Sequence, residues 1–264
     1  MNTTATDSAP ILSIENMAVH FGGLVAVSGL NFVVHEKKIV SLIGPNGAGK
    51  TTAFNVITGF LKPTEGTVRH RGTSLNGLRP NEIAERGVVR TFQKTSVFDG
   101  STVYDNVLTG LHLRGKSRSW EILLNLSRVR SEERALRETV TEILDLVGLL
   151  GQSRKMASDL PYGEQRLLEV AVALSAEPSL LLLDEPVSGM NPSETANFME
   201  FVSRIRDRGT TILLVEHDMR MVMGVSDRVI VLNQGTVIAE GTPTEIQHNP
   251  EVIRAYLGRG SADA

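Results

Sequence analysis

The alternation of apolar and polar residues predicts an α/β fold that contains two kinds of β-strand. Residues 11–21 alternate between apolar and polar side chains, as expected for a strand with one buried face and one solvent-facing face. Residues 180–183 and 211–215 are apolar almost throughout, which is typical of strands buried on both faces of a parallel sheet. We therefore expect a mainly parallel central sheet, with antiparallel β elements near the N-terminus.

Other periodic segments predict the order of the elements. Between residues 94 and 163 the strand patterns stop, and charged residues alternate with apolar ones at helical spacing. This change predicts a helical subdomain inserted into the α/β core. Further strands are expected at 30–34, 39–43, 67–70, 88–92, 228–232 and 236–239, and helices at 52–60, 132–149, 163–175, 192–208 and 249–257.

These elements predict a single discontinuous domain with loose ends. The N-terminus is rich in Thr, Ser and Ala, and we expect it to be disordered. The predicted organisation is a disordered lead-in at 1–10, one domain at 11–258 and a loose tail at 259–264. Within the domain we expect a core at 11–93 and 164–240, the helical insertion at 94–163 and a C-terminal segment at 241–258.

Composition narrows the class of protein. The chain has 264 residues and a formal net charge of −3, which gives no electrostatic reason to expect a nucleic-acid partner. It contains no cysteine, so disulfide and thiol chemistry are excluded. No stretch is long and apolar enough to span a membrane, and residues 1–10 lack the apolar core of a signal peptide. We expect a soluble protein that would work at a membrane only by docking to another subunit.

Residues 44–51 fit the pattern G-x-x-x-x-G-K-[ST] without a mismatch, and they lie between a predicted strand and a predicted helix. A glycine-rich turn that opens a helix presents backbone N–H groups to a phosphate. Lys50 can reach the β- and γ-phosphates, and the Thr51 hydroxyl can ligate Mg²⁺. An ordinary Gly/Pro turn with a surface lysine is the alternative. We expect a P-loop NTPase core that binds ATP and Mg²⁺ through Gly44, Pro45, Asn46, Gly47, Ala48, Gly49, Lys50, Thr51 and Thr52.

Candidate catalytic groups stand where predicted parallel strands end. Asp184 and Glu185 follow one strand, His217 follows another, and Gln93 follows a third. Open α/β sheets bind ligands at this edge. Two adjacent carboxylates can also cap a helix. A lone glutamine is usually a surface residue, and a histidine at a strand end is usually structural.

Phosphoryl transfer requires positioning and charge neutralisation, which these groups can supply. Asp184 would hold Mg²⁺ through its water shell, and Glu185 would polarise the attacking water. Gln93 would contact the metal and the γ-phosphate, and His217 would contact the γ-phosphate. The predicted catalytic residues are Glu185, His217 and Gln93, and the predicted metal ligands are Thr51, Gln93 and Asp184.

Phe21 is a candidate platform for an adenine ring because it ends the first predicted strand. A core aromatic at a strand end gives the same pattern, so the sequence leaves both interpretations open.

Five motifs occur in the order found in ABC transporter ATPases, and the chain resembles that family over nearly its whole length. They are the phosphate loop at 44–51, Gln93, and the segments 160–166, 180–186 and 215–218. Within the family the chain looks most like the ATPase subunits of branched-chain amino-acid importers. The segments that carry this closer resemblance are 90–93, 160–165, 188–192, 249–250 and 255–258.

The resemblance implies a dimer in which the segment around Gly163 and Glu164 covers the ATP bound by the other subunit. This chain departs from the common L-S-G-G-Q motif, with Pro161 for Ser, Tyr162 for Gly and Glu164 for Gln. Asn191 stands where many relatives have Asp. The missing serine hydroxyl would cost about 0.5–1.5 kcal/mol of binding, which weakens a site without abolishing it.

The function implied by the resemblance is ATP hydrolysis that energises uptake of branched-chain or other amino acids. The implied partners are transmembrane permease subunits, a second ATPase subunit in a homo- or heterodimer, and indirectly an extracytoplasmic solute-binding protein. The implied location is the cytoplasmic face of the inner membrane. Alternatives are a urea, amide or lipopolysaccharide transporter subunit, a soluble ABC ATPase acting on ribosomes or DNA, and a non-hydrolysing scaffold.

Overall fold

The computed structural model describes residues 9–91, 97–112 and 127–257, without the side chains of residues 112, 127–133 and 257. The strands are Pro10–Phe21 (β1), Leu24–His35 (β2), Ile39–Ile43 (β3), Glu65–His70 (β4), Thr73–Ser74 (β5), Val88–Arg90 (β6), Leu180–Asp184 (β7), Thr211–Val215 (β8), Arg228–Asn233 (β9) and Thr236–Gly241 (β10). The helices are Lys50–Ile57 (α1), Pro80–Glu85 (α2), Val103–His112 (α3), Ser127–Leu146 (α4), Tyr162–Leu174 (α5), Pro192–Asp207 (α6), Met219–Val225 (α7), Pro243–Gln247 (α8) and Pro250–Leu257 (α9).

A six-stranded sheet has the order β10-β9-β3-β8-β7-β6. All neighbouring pairs are parallel except β9 and β10, which are antiparallel. Every residue of β3, β7 and β8 is buried, which explains why these segments are apolar almost throughout. The predicted mainly parallel sheet is confirmed.

A second, four-stranded sheet has the order β2-β1-β4-β5, and its neighbours are antiparallel. The predicted antiparallel elements near the N-terminus are therefore also confirmed. β2 is much longer than the predicted strand at 30–34, because its pairing with β1 continues through Gly29, whose φ is +60°. The first half of β2 contains Ser28 and Gly29, which interrupt the apolar pattern, so periodicity did not predict it as a strand. Pairing with the neighbouring strand nevertheless keeps it extended.

The other predicted elements agree with the structure to within a few residues, with two kinds of error. The strand predicted at 88–92 is β6, which ends at Arg90; Phe92 and Gln93 lie outside the described residues. Short helices such as α7 and α8 were not predicted. Asp218 caps α7, and Thr242 with Glu245 forms a capping box on α8, so local capping signals were present.

The described chain forms two compact units. One contains the residues up to Arg90, Ser179–Glu185 and the residues from Ile205 onward, and it holds both sheets. The other contains Thr91–Pro178 and Pro186–Arg204, and in it α3 packs against α4 and α5. The domain boundaries inferred from the sequence stay a prediction. Within the described ranges, no helix has the length and apolar character needed to cross a membrane.

In the first unit, one hydrophobic cluster joins α1 to both sheets. It includes buried side chains from β1, β2 and β4 of the antiparallel sheet and from β3, β7, β8 and β9 of the parallel sheet. Because α1 begins at Lys50, this core fixes the start of the helix relative to the ends of the parallel strands. Representative members are Leu12, Val27, Leu42, Phe54, Val68, Leu182, Leu213 and Ile230.

Candidate nucleotide-binding site

The phosphate loop, residues 44–51, joins the end of β3 to the first turn of α1. Gly47 and Gly49 have φ values of +77° and +104°, a region in which L side chains are strained. Ala48 N–H donates to the Pro45 carbonyl at 3.1 Å, which closes a tight turn just before the helix. A left-handed turn followed at once by a helix N-terminus gathers backbone N–H groups into an anion-binding arrangement.

Close packing holds this loop in place. A Cβ on Gly44 would overlap the Leu232 carbonyl of β9, and a Cβ on Gly49 would lie 2.9 Å from the Ala26 carbonyl oxygen of β2. Gly235, in the β9–β10 turn, donates its N–H to the Ala48 carbonyl at 3.0 Å. The loop therefore packs tightly against β9 and the start of β2. Gly44 and Gly49 are required because a side chain would not fit there and because of their positive φ.

Lys50 is buried, and its ammonium group folds back over the loop. Nζ donates to the carbonyl oxygens of Gly44 at 2.6 Å and Pro45 at 3.1 Å. Burial lowers the pKa of Lys50, while the carboxylates of Glu185 and Asp184 act in the opposite direction. The lysine, two acidic groups and the anion-binding turn thus converge on one place.

The two predicted acidic residues lie at the carboxyl end of β7, beside the end of β8. Asp184 pairs in register with Val215, and the N–H of Glu185 donates to the Val215 carbonyl at 2.8 Å. Glu185 has a φ of +48°, a left-handed conformation that few residues other than glycine adopt, so the chain turns sharply directly after the strand. Asp184 is buried and Glu185 is half-buried, which gives the two carboxylates different environments.

The structure brings His217 to Glu185 at the ends of adjacent strands. His217 Nδ1 lies 3.6 Å from Glu185 Oε1, and the imidazole is 60% exposed. Glu216, which the sequence analysis did not select, holds this segment in place. Its carboxylate is buried and accepts hydrogen bonds from the N–H groups of His217 at 2.8 Å and Asp218 at 3.1 Å. The signal for Glu216 was an acidic residue directly after a buried strand.

The remaining predicted residues fall into three groups. Phe21, at the end of β1, is 50% exposed, so the alternative of a core aromatic is wrong. Asn46, Gly47 and Thr51 are exposed on the phosphate loop, and Thr52 is half-buried. Gln93 lies outside the described residues.

The segment 161–166 belongs to the second unit and starts α5. Gly163 is buried, and a Cβ there would lie 3.0 Å from the carboxyl carbon of Glu194. Glu164 is half-buried and accepts a hydrogen bond from Gln152 at 3.5 Å. Glu194 lies in the first turn of α6 and also accepts the N–H of Asn191 at 2.9 Å, so the start of α5 lies against the start of α6.

The residues present suit a magnesium ion that is bound together with a nucleotide. Among the described residues, no group of three or more His, Cys, Asp or Glu side chains could hold a metal by itself. Mg²⁺ commonly takes one or two protein oxygens and completes its shell with phosphate oxygens and water. The Thr51 hydroxyl and the Asp184 carboxylate are donors of this type.

Comparison with known families assigns the chain. Residues 27–188 match the family model described as ABC transporter. The chain belongs to the ABC transporter ATP-binding family. Residues 236–262 match a second model, described as branched-chain amino acid ATP-binding cassette transporter. The resemblance inferred from the ordered motifs is confirmed, and this ABC ATPase binds nucleotide.

Individual relatives refine the assignment. High-affinity branched-chain amino acid transport ATP-binding protein LivG of Escherichia coli (strain K12) is 47% identical over 95% of this chain and 99% of that protein. The corresponding BraF protein of Pseudomonas aeruginosa is 44% identical over 95% and 99%. The ADP conformation of an ATP-binding cassette from an ABC transporter superposes with a TM-score of 0.83 at 30% identity, covering 95% of this chain and 100% of that one. This ABC ATPase is thus closely homologous to subunits of branched-chain amino-acid transporters.

Tyr162 is the departure from the common motif that the structure explains best. Its hydroxyl donates to the Ser188 carbonyl at 2.9 Å and accepts hydrogen bonds from Arg166 Nη2 at 2.7 Å and Nε at 3.0 Å. The ring also packs on Gly189, whose φ is +83°. The tyrosine therefore connects the start of α5 to the loop after β7.

The packing of the phosphate loop predicts the effect of Gly235→Ala in this ABC ATPase. The added methyl would lie 2.8 Å from the Ala26 carbonyl oxygen and would push the β9–β10 turn away from Ala48. Overpacking of this kind costs about 1–3 kcal/mol. We expect MgATP affinity, measured by fluorescence titration, to fall by about tenfold.

Gly77→Ala is a matched control, since Gly77 has the same φ of +80° but open space around its Cβ position. We expect that variant to share the backbone strain, seen as a lower Tm, and to keep the wild-type nucleotide affinity. Equal affinities in the two variants would show that the contact with Ala26 does not position the loop.

The contacts of Tyr162 predict a measurable stability change in Tyr162→Phe. The change keeps the ring on Gly189 but removes the donor to Ser188 and the acceptor for Arg166. We expect the free energy of unfolding in urea to decrease by about 0.5–1.5 kcal/mol. Tyr104→Phe serves as the control, because the Tyr104 hydroxyl forms no hydrogen bond within the described part of the chain. A loss of similar size in both variants would argue against the connection.

Proposed function

We propose that this ABC ATPase hydrolyses ATP to drive uptake of branched-chain or other amino acids. The observation that carries the proposal is the position of Asp184 and Glu185 at the end of β7, where their charges act on Lys50 of the phosphate loop, in a chain 47% identical to LivG over nearly its full length. The geometry supports the chemistry, and the similarity supports the transported class.

In this proposal the phosphate loop holds ATP by its backbone N–H groups, and Lys50 moves from the carbonyls of Gly44 and Pro45 onto the β- and γ-phosphates. The exchange replaces two neutral acceptors with charged oxygens, which form stronger hydrogen bonds with an ammonium group. Thr51 and Asp184 would hold Mg²⁺. The ion supplies neutralisation of the charge that develops on the phosphates.

Glu185 is the proposed group that polarises the attacking water. It lies beside the cluster that would bind the phosphates, and its side chain is 32% exposed to solvent. His217, 3.6 Å from Glu185, would contact the γ-phosphate from the neighbouring strand. The role of Gln93 at the metal and the γ-phosphate stays a prediction from the sequence.

Phe21 would stack on the adenine ring, since an aromatic side chain that is half exposed at a strand end offers a free face. Gly163 and Glu164 would contribute to a second nucleotide site. In a dimer of ATPase subunits, the start of α5 from one subunit would cover the ATP bound to the other, with the helix N-terminus facing the anion.

ATP binding would perform work by favouring the closed dimer. Shifting the ratio of closed to open dimer from about 1:99 to 99:1 requires that ATP bind the closed form about 5.5 kcal/mol more tightly than the open form. Phosphates contacted by both subunits would provide it. Closure of the dimer would move the transmembrane permease subunits, to which the ATPase subunits would dock at the cytoplasmic face of the inner membrane. A solute-binding protein outside the membrane would deliver the amino acid to the permease subunits.

Glu185→Gln tests the proposal, because it keeps the side chain's shape and removes the carboxylate. We expect ATP affinity to stay within about twofold, while phosphate release by the purified protein falls by about 10²-fold or more. In cells that lack the chromosomal gene, we expect a plasmid copy of the wild type to restore uptake of radiolabelled leucine and the Glu185→Gln copy to fail.

Glu142→Gln, at an exposed position on α4, is the control and should behave as wild type in both assays. Normal phosphate release by Glu185→Gln would remove Glu185 from the catalytic role. Normal leucine uptake in the cells without the gene would remove the transport assignment while leaving the ATPase assignment standing.

A further inference from the structure

Arg90, the last residue of β6, forms a buried ion pair with Asp184. Its Nη2 donates to Asp184 Oδ2 at 2.5 Å, and the side chains are only 11% and 3% exposed. Strands β6 and β7 are parallel neighbours, so the backbone fixes the approach of the two side chains. A pair so removed from solvent is held in one geometry, unlike an exposed pair.

The same guanidinium group also reaches α1. Arg90 Nη1 donates to the Asn55 side-chain carbonyl at 2.7 Å, and the guanidinium carbon lies 5.6 Å from the centroid of the Phe54 ring. Both residues belong to the helix that begins at Lys50. Arg90 therefore connects the strand end that carries Asp184 to the helix that carries the phosphate-loop lysine.

Arginine is better suited than lysine to make both contacts at once. Its planar fork presents two nitrogens to Asp184 and Asn55, whereas a lysine offers a single charged atom. The arrangement has a cost, because Nε of Arg90 is buried without a hydrogen-bond partner among the described residues. A buried donor left unsatisfied is unusual and calls for an explanation other than the stability of the fold.

The pairing leaves half of the carboxylate available. Arg90 occupies Oδ2 of Asp184, and within the described part of the chain no hydrogen bond reaches Oδ1. The positive charge of Arg90 also offsets the crowding of Asp184 and Glu185 at the end of β7. A carboxylate tethered by one oxygen presents the other in a fixed direction, as the partners of metal ligands commonly do.

We propose that Arg90 is a positioning residue for the magnesium-binding carboxylate: it fixes Asp184 relative to α1 through Oδ2 and reserves Oδ1 for the hydration shell of nucleotide-bound Mg²⁺. The inference rests on the proposed function, specifically on the role of Asp184. In this inference Arg90 acts through Asp184 and would not itself contact the nucleotide or the ion.

The test separates magnesium dependence from nucleotide binding. A fluorescent ATP analogue is titrated into wild type, Arg90→Gln, Arg90→Lys and Asp184→Asn, first in EDTA and then over a series of MgCl₂ concentrations. We expect affinity in EDTA to change by less than about twofold in Arg90→Gln, while the Mg²⁺ concentration for half-maximal enhancement rises by about 10-fold. Arg90→Lys should show a smaller rise, because it keeps the charge but loses the fork.

Arg86→Gln is the matched control, since Arg86 is exposed at the end of α2 and should leave the magnesium dependence unchanged. Should Arg90→Gln fail to fold, Asn55→Ala removes one arm of the bridge and should shift the magnesium dependence in the same direction. No shift in whichever of these two variants folds overturns the inference.

Asp184→Asn distinguishes failure of the positioning role of Arg90 from failure of the metal-binding role of Asp184. If its magnesium dependence is altered and that of Arg90→Gln is not, the positioning role falls and the proposed function stands. If Asp184→Asn itself has the wild-type magnesium dependence, the metal-binding role of Asp184 falls and the inference about Arg90 falls with it.

Discussion

The structure depends on the close packing of the phosphate loop against strand ends. Gly44 faces the carbonyl of Leu232, Gly49 faces that of Ala26, and Gly235 binds the carbonyl of Ala48. These contacts leave no room for a side chain and hold the turn in a conformation that only glycine adopts without strain. Contacts within the chain itself thus specify the conformation of the turn, which lowers the cost of ordering it when an anion binds.

Four charged groups from three elements balance one another around that turn. Asp184 ends β7 and Glu185 follows it, Arg90 ends β6, and Lys50 begins α1. Burial brings these groups into a region where their interactions are stronger than in water. Lys50 and Arg90 then offset the two carboxylates.

Local features of the sequence predicted the parts of this site that are themselves local. The phosphate loop follows from its spacing, and Asp184 and Glu185 follow from the apolar run before them. The contact between Arg90 and Asp184 spans 94 residues and exists only because β6 and β7 are neighbours, so no pattern in the chain reveals it. The first half of β2 was missed for a similar reason: its pairing with β1 outweighs the low strand propensity of Gly29. The exposure of Phe21 became clear only from the fold.

The most direct test of this account is calorimetric titration of MgATP into the wild type and Lys50→Met. The account predicts one saturable site per chain in the wild type. It predicts at least about tenfold weaker binding in Lys50→Met, because a charged hydrogen bond contributes about 1.5–3 kcal/mol. Equal affinity in the two proteins, with the fold of both verified by circular dichroism, would contradict the claim that this loop and its lysine bind the nucleotide.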